Sequence, residues 1–266
     1  LFPDSFLYRN AGEEEMVEMQ SFILEICVDS VESAVAAERG GATRLELCQN
    51  LMIGGTTPGI KLFEAVREET HIPIQVLIRP RFGDFCYTDY EWRIMKKEIM
   101  MFRDRGADGI VIGMLKPDGI LDRDRMEALL EERGGMSVTL HRAFDVCKEP
   151  METLAVAKTM GIQTILTSGQ KNTCMEGTKL LAALQQESQE EICIQAGGGV
   201  TPEGIESLYR QTGICAYHRS AKEKLESAMT YRNRNVHMGL AKLSEYEIYR
   251  TSGETVRRAK EVLKRL

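Results

Sequence analysis

The chain has 266 residues, 43% hydrophobic and 28% charged, with seven cysteines and a formal net charge of −6. That size and composition suit a soluble globular protein with one large core, near the usual length of a single α/β barrel. The acidic balance gives nucleic acid no electrostatic purchase, and no apolar run is long enough to span a membrane.

Residues 1–20 are mostly polar and acidic and do not read as a secretory signal. They stand outside the pattern that follows and are read as an N-terminal extension or tag, before a single barrel domain over residues 21–266. From Phe22 onward one unit recurs: a short aliphatic run, a polar loop and a helical stretch that ends at glycine. The runs are 22–28 (FILEICV), 44–48 (RLELC), 73–79 (PIQVLIR), 109–113 (GIVIG), 137–142 (SVTLHR), 164–168 (TILTS), 192–196 (ICIQA) and 214–218 (ICAYH). Gly40-Gly41, Gly106, Gly134-Gly135, Gly161 and Gly213 precede runs and suit helix C-termini, where a left-handed residue ends the helix. Thr88 with Glu91 makes a capping-box pattern, and Thr201-Pro202 reads as an N-cap followed by proline in the first turn. Eight strand–helix units in this length predict a closed (β/α)8 TIM barrel, with an open doubly wound sheet as the alternative. The last connection, from His218 to a helix at about Glu254–Leu266, exceeds thirty residues. It is expected at the top face, as a lid or a plain structural excursion, with Thr251 and Glu254 capping the final helix.

Alternate residues of a strand point to opposite faces. If Leu24 and Ile26 face the helices, then Glu25 and Cys27 face the barrel axis. On the same parity Glu46 and Cys48 face inward from the second strand. If the two strands pair in register, Glu25 lies near Glu46 and Cys27 near Cys48. Strand 3 sends Gln75, Leu77 and Arg79 inward, strand 5 Thr139 and His141, strand 7 Cys193 and Gln195, strand 8 Ala216 and His218. Burying so many polar groups is costly unless they are paired, and a barrel built for stability alone fills these layers with Val, Ile and Leu. The plain reading is a salt-bridged network in which Glu25 or Glu46 neutralises Arg79. The functional reading is a ligand site at the top face, with Glu25, Glu46, Arg79, His141 and Asp145 as hypothetical catalytic groups.

The loops add candidates for binding an anion. Arg79-Pro-Arg81 holds two arginines near the mouth, with Asp84 able to orient Arg81. His141-Arg142-Ala-Phe-Asp145 sets an imidazole beside a guanidinium and a carboxylate. Ser168-Gly169 and Gly197-Gly198-Gly199 precede helix starts, where backbone N–H groups and the helix dipole favour negative charge. Gly54-Gly55-Thr56-Thr57-Pro58 is a further tight top-face loop.

Cys27 and Cys48, side by side at the mouth, suit a soft ion, above all Cu(I), with His218 as a third ligand. The plain alternative is a pair of small apolar side chains filling a barrel interior. The odd cysteine count and the absence of CxxC argue against a disulfide framework and for a reducing compartment.

LEICVDS, RLELCQNLMIGGTTP, VLIRPRFGDFCYT, DGIVIGMLKPDG, TLHRAFD, ILTSGQ and AGGGVTPE, in this order, resemble the CutC family of copper homeostasis proteins, from about Phe22 to His218. The tail, NVHMGLAKLSEYEIYRT, is similar to family versions with a C-terminal extension. The resemblance implies a TIM barrel, a cytoplasmic location, a role in copper tolerance or trafficking, and Cys27 and Cys48 as Cu(I) ligands. Two positions depart from the family pattern: AGGG stands where a G-A-G turn is common, and Arg219 where a small or apolar residue is usual. The extra arginine strengthens the anion reading. Three functions follow: a Cu(I)-binding homeostasis protein, an enzyme on a small anionic or phosphorylated metabolite, and a barrel with a structural polar ring that serves a protein contact. The expected partners are copper and a small anion, with a homo-oligomer left open.

Overall fold

The computed structural model describes residues 22–233, 235–238 and 244–266; the extension expected over residues 1–20 lies outside them. Eight parallel strands close into a barrel in chain order. They are β1 Ile23–Val28, β2 Arg44–Leu47, β3 Ile74–Leu77, β4 Gly109–Ile112, β5 Ser137–Leu140, β6 Thr164–Thr167, β7 Cys193–Ala196 and β8 Ala216–Arg219. The first seven lie inside the expected runs, and the eighth ends one residue beyond its run. The helices between them are α1 Val31–Gly40, α2 Ile60–Glu69, α3 Asp89–Asp104, α4 Arg123–Leu130, α5 Pro150–Thr159, α6 Thr178–Ser188 and α7 Pro202–Thr212. After β8 come β9 Lys222–Glu226, β10 Glu247–Thr251 and α8 Gly253–Leu263. The architecture is a TIM barrel.

Two periodicities build it. Outward residues of the strands, including Leu24, Ile26, Leu45, Leu47, Ile110 and Ile112, are fully buried under the helix ring. Each such side chain contributes roughly 1.5–3 kcal/mol of burial. Inward residues are far more polar: Glu25, Glu46, Gln75, Thr139, Thr164 and Gln195 are all buried at the axis. Near the strand ends, Cys27, Cys48, Leu77 and Val111 form a small apolar cluster of their own. At the opposite end Gly109 makes room for an axial polar contact. A Cβ there would sit 1.9 Å from Gln75 Oε1, which accepts from the Ser137 hydroxyl at 3.1 Å.

The helix starts follow the expected chemistry. Thr88 and Glu91 close a reciprocal capping box on α3, and the Thr201 side chain accepts from Gly204 N–H at the start of α7. Gly41, Gly106, Gly134, Gly161 and Gly213 adopt positive φ, whereas Gly40 is still helical. The cap of α8 differs from expectation. Ser252, not Thr251, caps it, accepting from Thr255 N–H. Thr251 is the last residue of β10, where its N–H donates to Ser33 Oγ and its hydroxyl to Ser220 O. Glu254 instead pairs with Arg257 at the surface.

The long last connection begins and ends as a two-stranded antiparallel ribbon, with Lys222 opposite Thr251 and Glu226 opposite Glu247. It starts directly above the barrel mouth. The ribbon returns the chain so that α8 packs between α1 and α7 and completes the helix ring.

Candidate functional site

The strand ends carry a buried charged cluster on β1, β2 and β8. Glu25 is fully buried and accepts from Arg44 Nε at 2.5 Å and Gln195 Nε2 at 3.1 Å. His218 Nδ1 lies 2.8 Å from Glu25 Oε1 and 3.2 Å from Glu46 Oε2. Burial alone would raise the Glu25 carboxyl, but Arg44 and His218 together hold it down at about 2. Burial opposes a charge on His218, yet Glu46 and Glu25 outweigh it and raise its pKa. Glu46 moves the other way: burial, with the Glu25 charge added, pushes its carboxyl up against the pull of His218.

The two thiols join this cluster. The β1–β2 register places Cys27 opposite Glu46 and Glu25 opposite Arg44, a shift of two residues from the simple in-register pairing. The cysteine side chains nevertheless meet, Sγ to Sγ, at 3.6 Å. The hydrogen bond to Cys48, and then burial, hold the Cys27 thiol well above its ordinary pKa. One donor atom each from Cys27, Glu46 and His218 lies within 4.8 Å of the others, close enough to hold one ion.

The arginine that neutralises Glu25 is therefore Arg44, and neither glutamate pairs with Arg79. Arg44 shares the inward parity of Glu46 and stands two residues before it, so the alternation rule would have found it. Arg79 instead donates to the carbonyls of Gly54 and Gly55, both at 3.1 Å, and of Gly83 at 3.0 Å. Its guanidinium stacks 5.1 Å from the Phe85 ring centroid. It ties together the loops after β2 and β3.

Around the rest of the mouth, His141 caps a 3-10 turn, its Nδ1 accepting from Ala143 N–H at 3.1 Å. Its ring packs 4.8 Å from Phe85. Burial, with Arg79 nearby, drives its pKa down to about 3, so it is neutral. Asp145 is an organiser of the next loop. It accepts from Thr167 Oγ1 at 2.5 Å, Ser168 N–H at 2.9 Å and Gln170 N–H at 3.1 Å, and pairs with Arg142 Nε at 2.6 Å. Arg142 Nη2 reaches Ser168 Oγ at 2.9 Å.

A cavity of ≈ 450 Å³ opens above these groups. Cys27, Glu46, Arg79, His141, Arg142, Gly198, Gly199 and His218 line it, as expected for mouth residues. Glu25 and Cys48 lie behind this wall, fully buried. Ser168 and Asp145 support it through Arg142. Gly169 packs against Gly177, and Gly197 donates to Thr167 O at 2.9 Å; neither lines the cavity. Arg81 and Asp84 also lie outside it. They pair with each other at 2.9 Å, and Arg81 pairs with Glu91 at 2.7 Å, on the outer face of their loop. Leu51, Phe85, Leu166 and Lys222 line it as well, outside the predicted site residues. Nothing local in the sequence marks Lys222, which reaches the mouth only because the ribbon starts there.

Residues 22–223 match the CutC family model. The chain belongs to the CutC family. It is 40% identical over 246 residues to a human protein named copper homeostasis protein cutC homolog, covering 92% of this chain and 90% of that one. It is 42% identical over 247 residues to a family protein CutC of Bacteroides fragilis strain YCH46, covering 92% and 97%. The crystal structure of a CutC protein from Streptococcus agalactiae aligns with a TM-score of 0.71 at 30% identity, covering 75% of this chain and 99% of that one. In this CutC chain the cluster of thiols, carboxylates and His218 sits at the mouth of the shared barrel.

Proposed function

We propose that this CutC-family chain is a cytoplasmic copper homeostasis protein that takes up Cu(I) at Cys27 and Cys48. The observation that carries this reading is the pair of thiols 3.6 Å apart at the strand ends, one of them on the cavity wall. Soft thiolates favour Cu(I) over the hard cations that carboxylates alone would select. Glu46 and His218 stand beside Cys27 as further donors. The names of the relatives fit the same cargo.

The electrostatics give the uptake a pH dependence. Cys27 is held protonated in the absence of metal, so binding must release protons and weaken as pH falls. Seven cysteines with no disulfide among the described residues also suit a reducing cytoplasm, which keeps both copper and cysteine reduced. Anaerobic competition against a coloured Cu(I) chelator tests the assignment. Changes to supporting groups alone cost metal sites 10–100-fold, so Cys27→Ser/Cys48→Ser should lose at least about a hundredfold in affinity. Undiminished affinity in that variant would place the copper elsewhere.

A further inference from the structure

Of the thiol pair only Cys27 lines the cavity, on one side of the mouth. The rest is basic. Arg79, His141, Arg142, Arg219 and Lys222 line it, and Glu46 is the one carboxylate among the described lining residues. Arg79 is committed to three loop carbonyls and Arg142 to Asp145 and Ser168. Arg219 is not committed. Its Nε and Nη1 are buried without a hydrogen-bond partner among the described residues. Glu203, the acid whose charge reaches it, is ion-paired to Arg258. Among the described residues, Lys222 Nζ has only the Met52 sulfur, at 3.8 Å.

His141 points to the same chemistry. The residue is 5% exposed and its Nε2 has no partner among the described residues. Nδ1 accepts from a backbone N–H, and burial keeps the ring neutral, so the single ring proton must sit on Nε2. That nitrogen is a donor, and an arginine offers donors only. His141, Arg219 and, at its Nε, Arg79 thus each line the cavity and carry a buried donor with no acceptor among the described residues.

The backbone completes the pattern. Gly198 and Gly199, at φ +82° and +80°, turn the chain into the capped start of α7. A Cβ on Gly198 would stand 3.1 Å from Ser168 Cβ and 3.4 Å from Arg142 Cζ. Glycine thus lets the guanidinium lie against a turn that feeds the positive end of an 11-residue helix.

We propose that this wall is an oxyanion site for a small molecule ending in a phosphate or carboxylate. Arg219, Arg142 and the Gly198–Gly199 turn receive the oxyanion, with His141 Nε2–H as an uncharged donor. A cavity of ≈ 450 Å³ admits a metabolite-sized molecule and no macromolecule. Arg219 is the deciding residue, because two of its buried nitrogens have no hydrogen-bond partner among the described residues. The site is independent of the copper assignment, since none of these donors is a thiol.

Calorimetric titration of the full chain with inorganic phosphate, and separately with malonate, tests it and tells the two anion types apart. Saturable one-to-one binding of at least one is expected. Arg219→Met should weaken it by at least roughly tenfold, the loss of charge-assisted hydrogen bonds. Arg81→Met, outside the cavity, should bind as the wild type does, and Cys27→Ser/Cys48→Ser should keep the anion even where copper is lost. Gly198→Ala, which crowds Arg142, is a second probe and should also bind more weakly if Arg219→Met does not fold. The idea is overturned if neither anion binds the wild type, or if the folded variants among Arg219→Met and Gly198→Ala bind as tightly as it does.

Discussion

Single residues in this barrel have consequences set by what they neutralise. Glu25 is fully buried and Arg44 is its cationic partner at 2.5 Å. Removing one member of a buried pair leaves the other charge uncompensated, at a cost of about 3–5 kcal/mol. Arg44→Met should therefore lower the unfolding free energy by that amount in urea titrations; a loss under about 1 kcal/mol would mean that His218 and Gln195 suffice. His141 makes a different prediction. Its folded pKa of about 3 lies below the ordinary 6.5, so between those values the unfolded chain binds a proton that the folded chain refuses. Stability is then full above the ordinary histidine value and declines as pH falls toward the folded one, by up to about 1.4 kcal/mol per pH unit. His141→Asn, which keeps an acceptor for Ala143 N–H, should remove that one-proton slope. Equal slopes for wild type and variant between pH 6 and 4, roughly within the titration window, would contradict the buried neutral imidazole.

At the scale of elements, the end of the chain shows how tertiary context moves a cap by one residue. Thr251 has the right chemistry to start α8, but the ribbon claims it: its N–H goes to Ser33 and its hydroxyl to Ser220. The next hydroxyl, Ser252, takes over. Ser252→Ala should thus destabilise the protein by about 1 kcal/mol, and Glu254→Ala, which removes only an exposed pair, by less than about 0.5 kcal/mol in thermal or chemical unfolding. The reverse order would restore the capping box that the sequence pattern suggests. The same ribbon is what carries Lys222 to the cavity. No local signal distinguishes that lysine from other surface lysines, because its placement depends on where β9 lies over the barrel.

At the scale of the whole molecule, α8 closes the ring of helices between α1 and α7. Val256, Ala259 and Leu263 are buried in doing so. Ending the chain after Thr251 would expose the faces they cover, and losing the burial of Val256 and Leu263 alone costs roughly 3–6 kcal/mol. Such a chain should show a greatly lowered melting temperature or fail to fold. Unchanged melting would mean that the barrel is complete without its last helix. The barrel also explains why the site is divided. Strand 8 becomes the neighbour of strand 1 only on closure, so His218 meets Glu25 and Glu46 although nearly two hundred residues separate it from Glu25.

Much of this architecture is legible in the amino-acid sequence. The recurring apolar runs locate all eight strands, and period-two alternation puts Glu25, Cys27, Glu46, Cys48, His141 and His218 on the axis, because strand parity is a local geometric property. Capping signals at Thr88 and Thr201 and the C-terminal glycines are equally local. Partnership is not. Strand parity says which way a side chain points but leaves the stagger between strands open. The stagger decided that Arg44 and not Arg79 neutralises Glu25, while loop packing gave Arg79 to the loop carbonyls and left the local Arg81–Asp84 pair outside the cavity. The sequence by itself determined the barrel and its ring of inward polar residues. Only the closed tertiary structure decided which of them meet, because shear and loop packing arise from contacts that no single segment contains.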